Sequence, residues 1–153
     1  MSEQPPIFNI EKVYLKDLSL EIPHAPQIFT EKEAPKVDIN LHHEVRSLDN
    51  SFYEVALTVT VTAQLQEKTV FLVEVAQAGI FQIYNVPQQE FQAMLNVICP
   101  GILLPYAREM VSNTLIRAGF PPVMLPHVNF EAILQQRLQE QSQAGAAPAP
   151  LNT

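Results

Sequence analysis

Asp17 with Glu21, His42 with His43, His24 with His127, and Cys99 are the side chains whose types could carry catalysis or hold a metal. Asp17 and Glu21 fall on one face of a stretch that reads as a strand, about 13 Å apart at roughly 3.3 Å per residue. Paired glycosidase carboxylates need about 5 to 9.5 Å, so these two are surface charges rather than an acid/base pair. His42 and His43 are neighbours on a second expected strand, where successive side chains point to opposite faces and cannot chelate one ion. His24 and His127 stand beside prolines in expected loops, and two histidines alone make a poor site. Cys99 precedes Pro100 within an apolar run, the setting of a buried, inert thiol. As the single cysteine it excludes an intrachain disulfide and a cysteine-rich zinc framework, which points to a reducing compartment. Gly79, Gly101, Gly119 and Gly145 are spaced too widely for a nucleotide cradle or a nucleophile elbow. No catalytic residue, metal or cofactor is expected.

The elements that carry these residues read first in twos and then in helical periods. From Phe8 to Ile22 the even positions Phe8, Ile10, Tyr14, Leu18, Leu20 and Ile22 are apolar. Lys12, Val13, Leu15 and Lys16 break that pattern, so a bulge or contact on both sides is expected. Pro23, Pro26 and Pro35 bracket a crossing loop that contains Ile28 and Phe29. Val37, Ile39, Leu41 and Val45 alternate with polar residues on a second strand. An Asp49-Asn50-Ser51 turn leads to a third over Tyr53, Val55, Leu57, Val59, Val61 and Leu65. Val70 to Tyr84 makes a fourth, apolar on both faces except at Glu74, Gln77 and Gln82. Consecutive strands with short turns predict an antiparallel sheet. A helix from Pro87 is expected to stop at Pro100-Gly101, and a second to run from about Leu103 to Gly119. A third is capped by Asn129 and carries the stripe Phe130, Ile133, Leu134, Arg137 and Leu138. The class is α+β, a four-stranded antiparallel sheet followed by helices.

The chain has 153 residues, enough for one domain, with 9 basic against 16 acidic side chains and a net charge of −7. That balance disfavours nucleic acid and anionic bilayers and favours a basic partner. The N-terminus has no basic, apolar leader, so export of this chain is not expected. The charge-free stretch from Phe91 to Ala107 is interrupted by Pro100, Gly101 and Pro105, so membrane insertion is not expected either. Residues 1–141 read as the folded domain, and the Ala/Pro-rich residues 142–153 as a disordered tail. So small a chain has more apolar face than its own helices can cover, which predicts a symmetric homo-oligomer. Two surfaces stand out. The polar strand faces gather Glu11, Asp17, Glu21, Asp38, Glu44, Glu54 and Glu74, with apolar Leu72 on the same face as Glu74. The other is apolar and comprises Ile28, Phe29, Val37, Ile39, Leu41, Phe130, Leu134 and Leu138. Ordinary core packing explains these residues equally well at this stage.

Ordered blocks run along the chain: residues 14–21 (YLKDLSLE), Ala25-Pro26, residues 53–55 (YEV), residues 59–63 (VTVTA) and residues 71–75 (FLVEV). They continue through residues 78–81 (AGIF), Cys99-Pro100, Ile102-Leu103, residues 105–109 (PYARE) and residues 128–130 (VNF). From about Phe8 to Leu138 this is a resemblance to SecB, the bacterial protein-export chaperone family. It implies a cytoplasmic homotetramer, a dimer of dimers with helices between two sheets, that hydrolyses no nucleotide. Such a protein holds unfolded preproteins in apolar grooves and hands them to SecA, the translocation ATPase. By similarity, SecA contacts fall on Asp17, Glu21, Leu72 and Glu74. The groove takes Ile28, Phe29, Val37, Ile39, Leu41, Phe130, Leu134 and Leu138, together with Val73, Val75 and Gln77 on a stretch sensitive for client handling. Some SecB-like proteins instead serve a toxin–antitoxin system, which is the alternative. A small hydrolase or metal enzyme using His24 and His127 is the contrasting class.

Overall fold

The structure, a computed structural model, describes residues 4–146. β1 (Ile7–Glu21), β2 (Lys36–Ser47), β3 (Phe52–Leu65) and β4 (Lys68–Tyr84) form one antiparallel sheet in the order β1-β4-β3-β2. Asn50 and Ser51 both take positive φ in the β2–β3 turn, the geometry that matches strand twist in a tight hairpin. The proline-bracketed connection, with one turn of 3₁₀ helix at Gln27–Thr30, carries the chain from the β1 edge to the β2 edge. Among the described residues, β1 and β2 are the edge strands.

Alternation fixes the two faces. Val55, Leu57, Val59, Val61 and Ala63 of β3 point to the inner face, opposite Gly79, Gln77, Val75, Val73 and Phe71 of β4. Helix α2 (Cys99–Arg117) buries Cys99, Leu103, Ala107, Val111 and Leu115 against them. β1 departs from simple alternation. Its register shifts between Ile10 and Lys12 and again between Leu15 and Asp17. Two bulges therefore invert the phase over residues 12–15, so Val13 and Leu15 face inward with Phe8, Ile10, Leu18 and Leu20. Tyr14, expected on the apolar face, lies instead on the outer one.

The expected helix break at Pro100-Gly101 does not occur. Helix α1 (Gln88–Ala93) passes through a π-turn (Met94–Ile98) directly into α2. The amide of Cys99 bonds the carbonyl of Met94, a step of five residues, and this widening admits the ring of Pro100, which is buried in the first turn of α2. α2 ends where expected: Gly119 has φ +92°, and the amides of Gly119 and Phe120 bond the carbonyls of Ile116 and Leu115. Arg108 Nε donates to the carbonyl of Leu125 at 3.0 Å and ties down the following loop. Asn129 Oδ1 accepts from the amide of Ala132 at 3.0 Å and caps α3 (Phe130–Ala146). The helix thus extends into the stretch expected to be tail. Residues 147–153 of that expected tail lie outside the described residues.

Candidate functional site: an acidic sheet face and two apolar clefts

The four residues that the resemblance implies for SecA contact come together on the outer face. Glu21 pairs with Leu72, Ser19 with Glu74 and Asp17 with Ala76 in the β1–β4 ladder, so the second bulge returns Asp17 and Glu21 to the face that carries Leu72 and Glu74. Asp38 lies in the same row as Leu72 by way of Thr62. Asp17 and Glu21 are exposed, and Leu72 and Glu74 half-buried. Thr60 Oγ1 donates to Glu74 Oε2 at 3.0 Å, which orients that carboxylate. The arrangement is a half-buried leucine rimmed by carboxylates, suited to a basic segment that brings one apolar side chain.

The apolar residues divide between two clefts on the helix side. The first, of about 380 Å³, is lined by Ile28, Phe29, Val37, Leu65, Val70, Phe71, Phe120 and the Pro121–Val123 strip, with Glu31 and Glu33 at its rim. Phe29 stacks on Phe120 at 5.1 Å between ring centroids, and Phe120 meets Phe71 at 4.9 Å. Phe29 nevertheless remains 47% exposed and Val37 38%. The second cleft, of about 670 Å³, lies between α3 and the α1–π-turn segment, with Leu134, Leu138, Val97 and Ile98 in its walls. Half-buried Ile39 and Leu41 lie along β2 beyond Val37, towards the His43–Phe130 contact.

Three expected groove residues do not belong to an open surface. Val73 and Val75 are 0% exposed and Gln77 is 5% exposed, because they sit on the inner face of a central strand. Gln77 Nε2 donates to the carbonyl of Tyr14 at 3.1 Å, so that buried amide serves the sheet. Ile28 and Phe130 are also buried: Ile28 lines the first cleft with little of its surface open, and Phe130 packs against His43. Phe71 and Phe120 escaped the sequence reading. Phe120 had a local signal, an apolar residue straight after a helix-ending glycine, which packs back on the helix it follows.

The chemistry-bearing side chains take structural places. Burial pushes the Cys99 thiol up to about 12, so it is protonated and unreactive at neutral pH. His43 points inward and His42 outward, as adjacent strand residues must. His43 Nε2 is 2.9 Å from Asn96 Oδ1, and burial lowers its pKa, helped by the Arg137 and His42 charges and opposed by the Asn96 bond. Among the described residues no three His, Cys, Asp or Glu side chains group to hold a metal ion. Among them, too, no helix is long and apolar enough to cross a membrane.

Known proteins resemble this chain in sequence and in fold. The family model SecB, preprotein translocase subunit SecB, matches residues 1–141. The protein-export protein SecB of Methylobacillus flagellatus is 61% identical over 145 residues, which is 95% of this chain and 92% of that protein. That of Chromobacterium violaceum is 56% identical over 150 residues, 96% of this chain and 100% of that protein. Among solved structures, a SecB-like chaperone of Mycobacterium tuberculosis in complex with a ChAD peptide from an antitoxin superposes with TM-score 0.65 at 20% identity. It covers 79% of this chain and 90% of that one, a likeness of fold. With a matching family model and relatives above half identical over nearly their full lengths, the chain belongs to the SecB family, the preprotein-export chaperones.

Proposed function

We propose that this chain holds unfolded preproteins on its apolar clefts without using nucleotide, and delivers them to SecA through the acidic outer face. One observation carries the reading: the sheet separates an apolar cleft with exposed Phe29 and Val37 from a carboxylate-rimmed Leu72 on its opposite side. One molecule can then grip a client and dock on a carrier at once. Holding needs no catalysis in this chain. A protein that binds the unfolded form and not the folded one lowers the concentration of chain free to fold. Several shallow contacts on one assembly add avidity of roughly a hundredfold or more without reading sequence. SecA supplies the competing binding and the ATP.

The assembly we propose is a cytoplasmic homotetramer, a dimer of dimers. Its support is the apolar surface that one chain leaves open. Ile10, Leu15, Leu18 and Leu20 on the inner face of edge strand β1 are exposed, as are Tyr106 and Ile116 on α2. Copies related by closed symmetry would cover both. An antitoxin client rests on a likeness of fold alone, whereas the relatives at 53–61% identity are protein-export proteins. Glu74→Lys should weaken SecA binding several-fold, leave the holding of unfolded chains intact, and reduce the loss of affinity on adding salt. Unchanged SecA affinity in that variant contradicts the role given to the face.

A further inference from the structure

Tyr14, Lys16 and Glu54 meet on the outer face in a cluster that the docking reading does not use. Between its two bulges β1 runs in inverted phase, and only after the shift between Leu15 and Asp17 do Asp17, Ser19 and Glu21 return to the outer face. The side chains of Tyr14 and Lys16 reach across β4 to the Glu54 carboxylate on β3. Tyr14 Oη donates to Glu54 Oε2, and Lys16 Nζ stands 2.7 Å from Oε1. What lets them cross is the row of small side chains beneath: Ala76 and Ala78 are the outward residues of β4 there, and Ala78 is 0% exposed although it points away from the helices.

The cluster is electrostatically settled. Burial alone would raise the Glu54 pKa, but the bonds from Lys16 and Tyr14 and the Lys16 and Arg46 charges together hold it below its ordinary value. Burial and then Glu54 itself push the Tyr14 hydroxyl up to about 12, so it remains a donor at neutral pH. A bulge is one extra residue, and its loss slips the strand by one position and turns every following side chain to the other face. In β1 that slip would carry Asp17 and Glu21 away from Leu72 and Glu74.

We propose that Glu54, acting through Tyr14 and Lys16, is the positioning residue of the acidic face: it pins the second bulge of β1 and so sets the register that presents Asp17 and Glu21. The proposal rests on the reading of that face as the SecA site. Its test compares SecA affinity of the full-length protein with that of Tyr14→Phe, Lys16→Met, Lys16→Arg and Glu74→Lys. Tyr14→Phe changes no charge at neutral pH. Lys16→Met removes a cation beside the acidic face, so charge alone predicts tighter docking of a basic partner, whereas positioning predicts weaker. Both variants should weaken docking by roughly threefold or more, the scale of a misplaced rim contact. They should also speed amide exchange over residues 17–21 and leave the holding of an unfolded chain unchanged. Lys16→Arg should restore docking. Unchanged or tighter binding by Lys16→Met, or no effect of Tyr14→Phe, overturns the proposal while Glu74→Lys still weakens docking. If Glu74→Lys also has no effect, the docking reading falls and the clamp falls with it.

Discussion

Gly79 shows how tightly single positions are set. A Cβ there would lie 2.8 Å from the Phe81 ring and 3.2 Å from the Lys12 carbonyl oxygen, beside the first bulge of β1. Phe81 is fully buried and tilts against Phe8 at 5.9 Å between centroids, so it cannot yield without opening a void. Gly79→Ala should cost about 1–3 kcal/mol, read as a lower urea midpoint with an unchanged slope. An unchanged midpoint contradicts this packing. His43 sets a pH dependence. Its pKa is lowered from 6.5 in the fold, so the folded chain binds fewer protons than the unfolded one below that pH. The stability this represents is present above about pH 6.5 and is lost as pH falls towards the folded value. The charged and titratable neighbours that lower it are Arg137 and His42, with Asn96 opposing. The urea midpoint should fall between pH 7 and pH 5.5, and His43→Asn should flatten that dependence; an equal fall in the variant contradicts the assignment. Strand parity alone indicates that His42 and His43 diverge. Asn96 as partner is not legible, because it is far away in the sequence and presented by a π-turn.

At the scale of elements, α3 is lightly anchored. It is capped by Asn129, it sinks Phe130 against His43 with ring centroids 6.4 Å apart, and it leaves Leu138 48% exposed. Phe130→Ala should cost about 3 kcal/mol at that anchor and open the second cleft. Amide exchange should then rise along residues 130–143 while β3 and β4 stay protected; a uniform rise across the sheet contradicts a separately anchored helix. How far elements were legible follows from what decides them. β3, the C-terminal end of α2 and the N-terminal end of α3 depend on local alternation, a glycine at positive φ and a side-chain cap, and each stands where the pattern puts it. The continuity of α1 into α2 depends on hydrogen-bond register, which one inserted residue alters and which residue types do not reveal. β1 is intermediate. Val13 and Leu15 advertise a change of phase, but the position of each bulge is set by pairing with β4, and so Tyr14 changes face.

For the molecule as a whole, the central fact is unequal cover. The helices seal the middle of the sheet over Val59, Val61, Val73 and Val75, and they leave the inner face of β1 and the first cleft open. The burial of Val73, Val75 and Gln77 is the same fact seen from the centre: the family resemblance alone assigns them to the groove, but the layer above decides between core and groove. The acidic face was more legible, since parity alone places Leu72 with Glu74, and pairing with β1 then adds Asp17 and Glu21. Open apolar surface on both an edge strand and a cleft is what assembly and client holding would each use. Sedimentation of the purified protein with a labelled, permanently unfolded polypeptide, in the absence of nucleotide, tests this most directly. The account predicts a particle of four chains that carries the unfolded polypeptide with it. A monomer that sediments apart from the unfolded chain would contradict it.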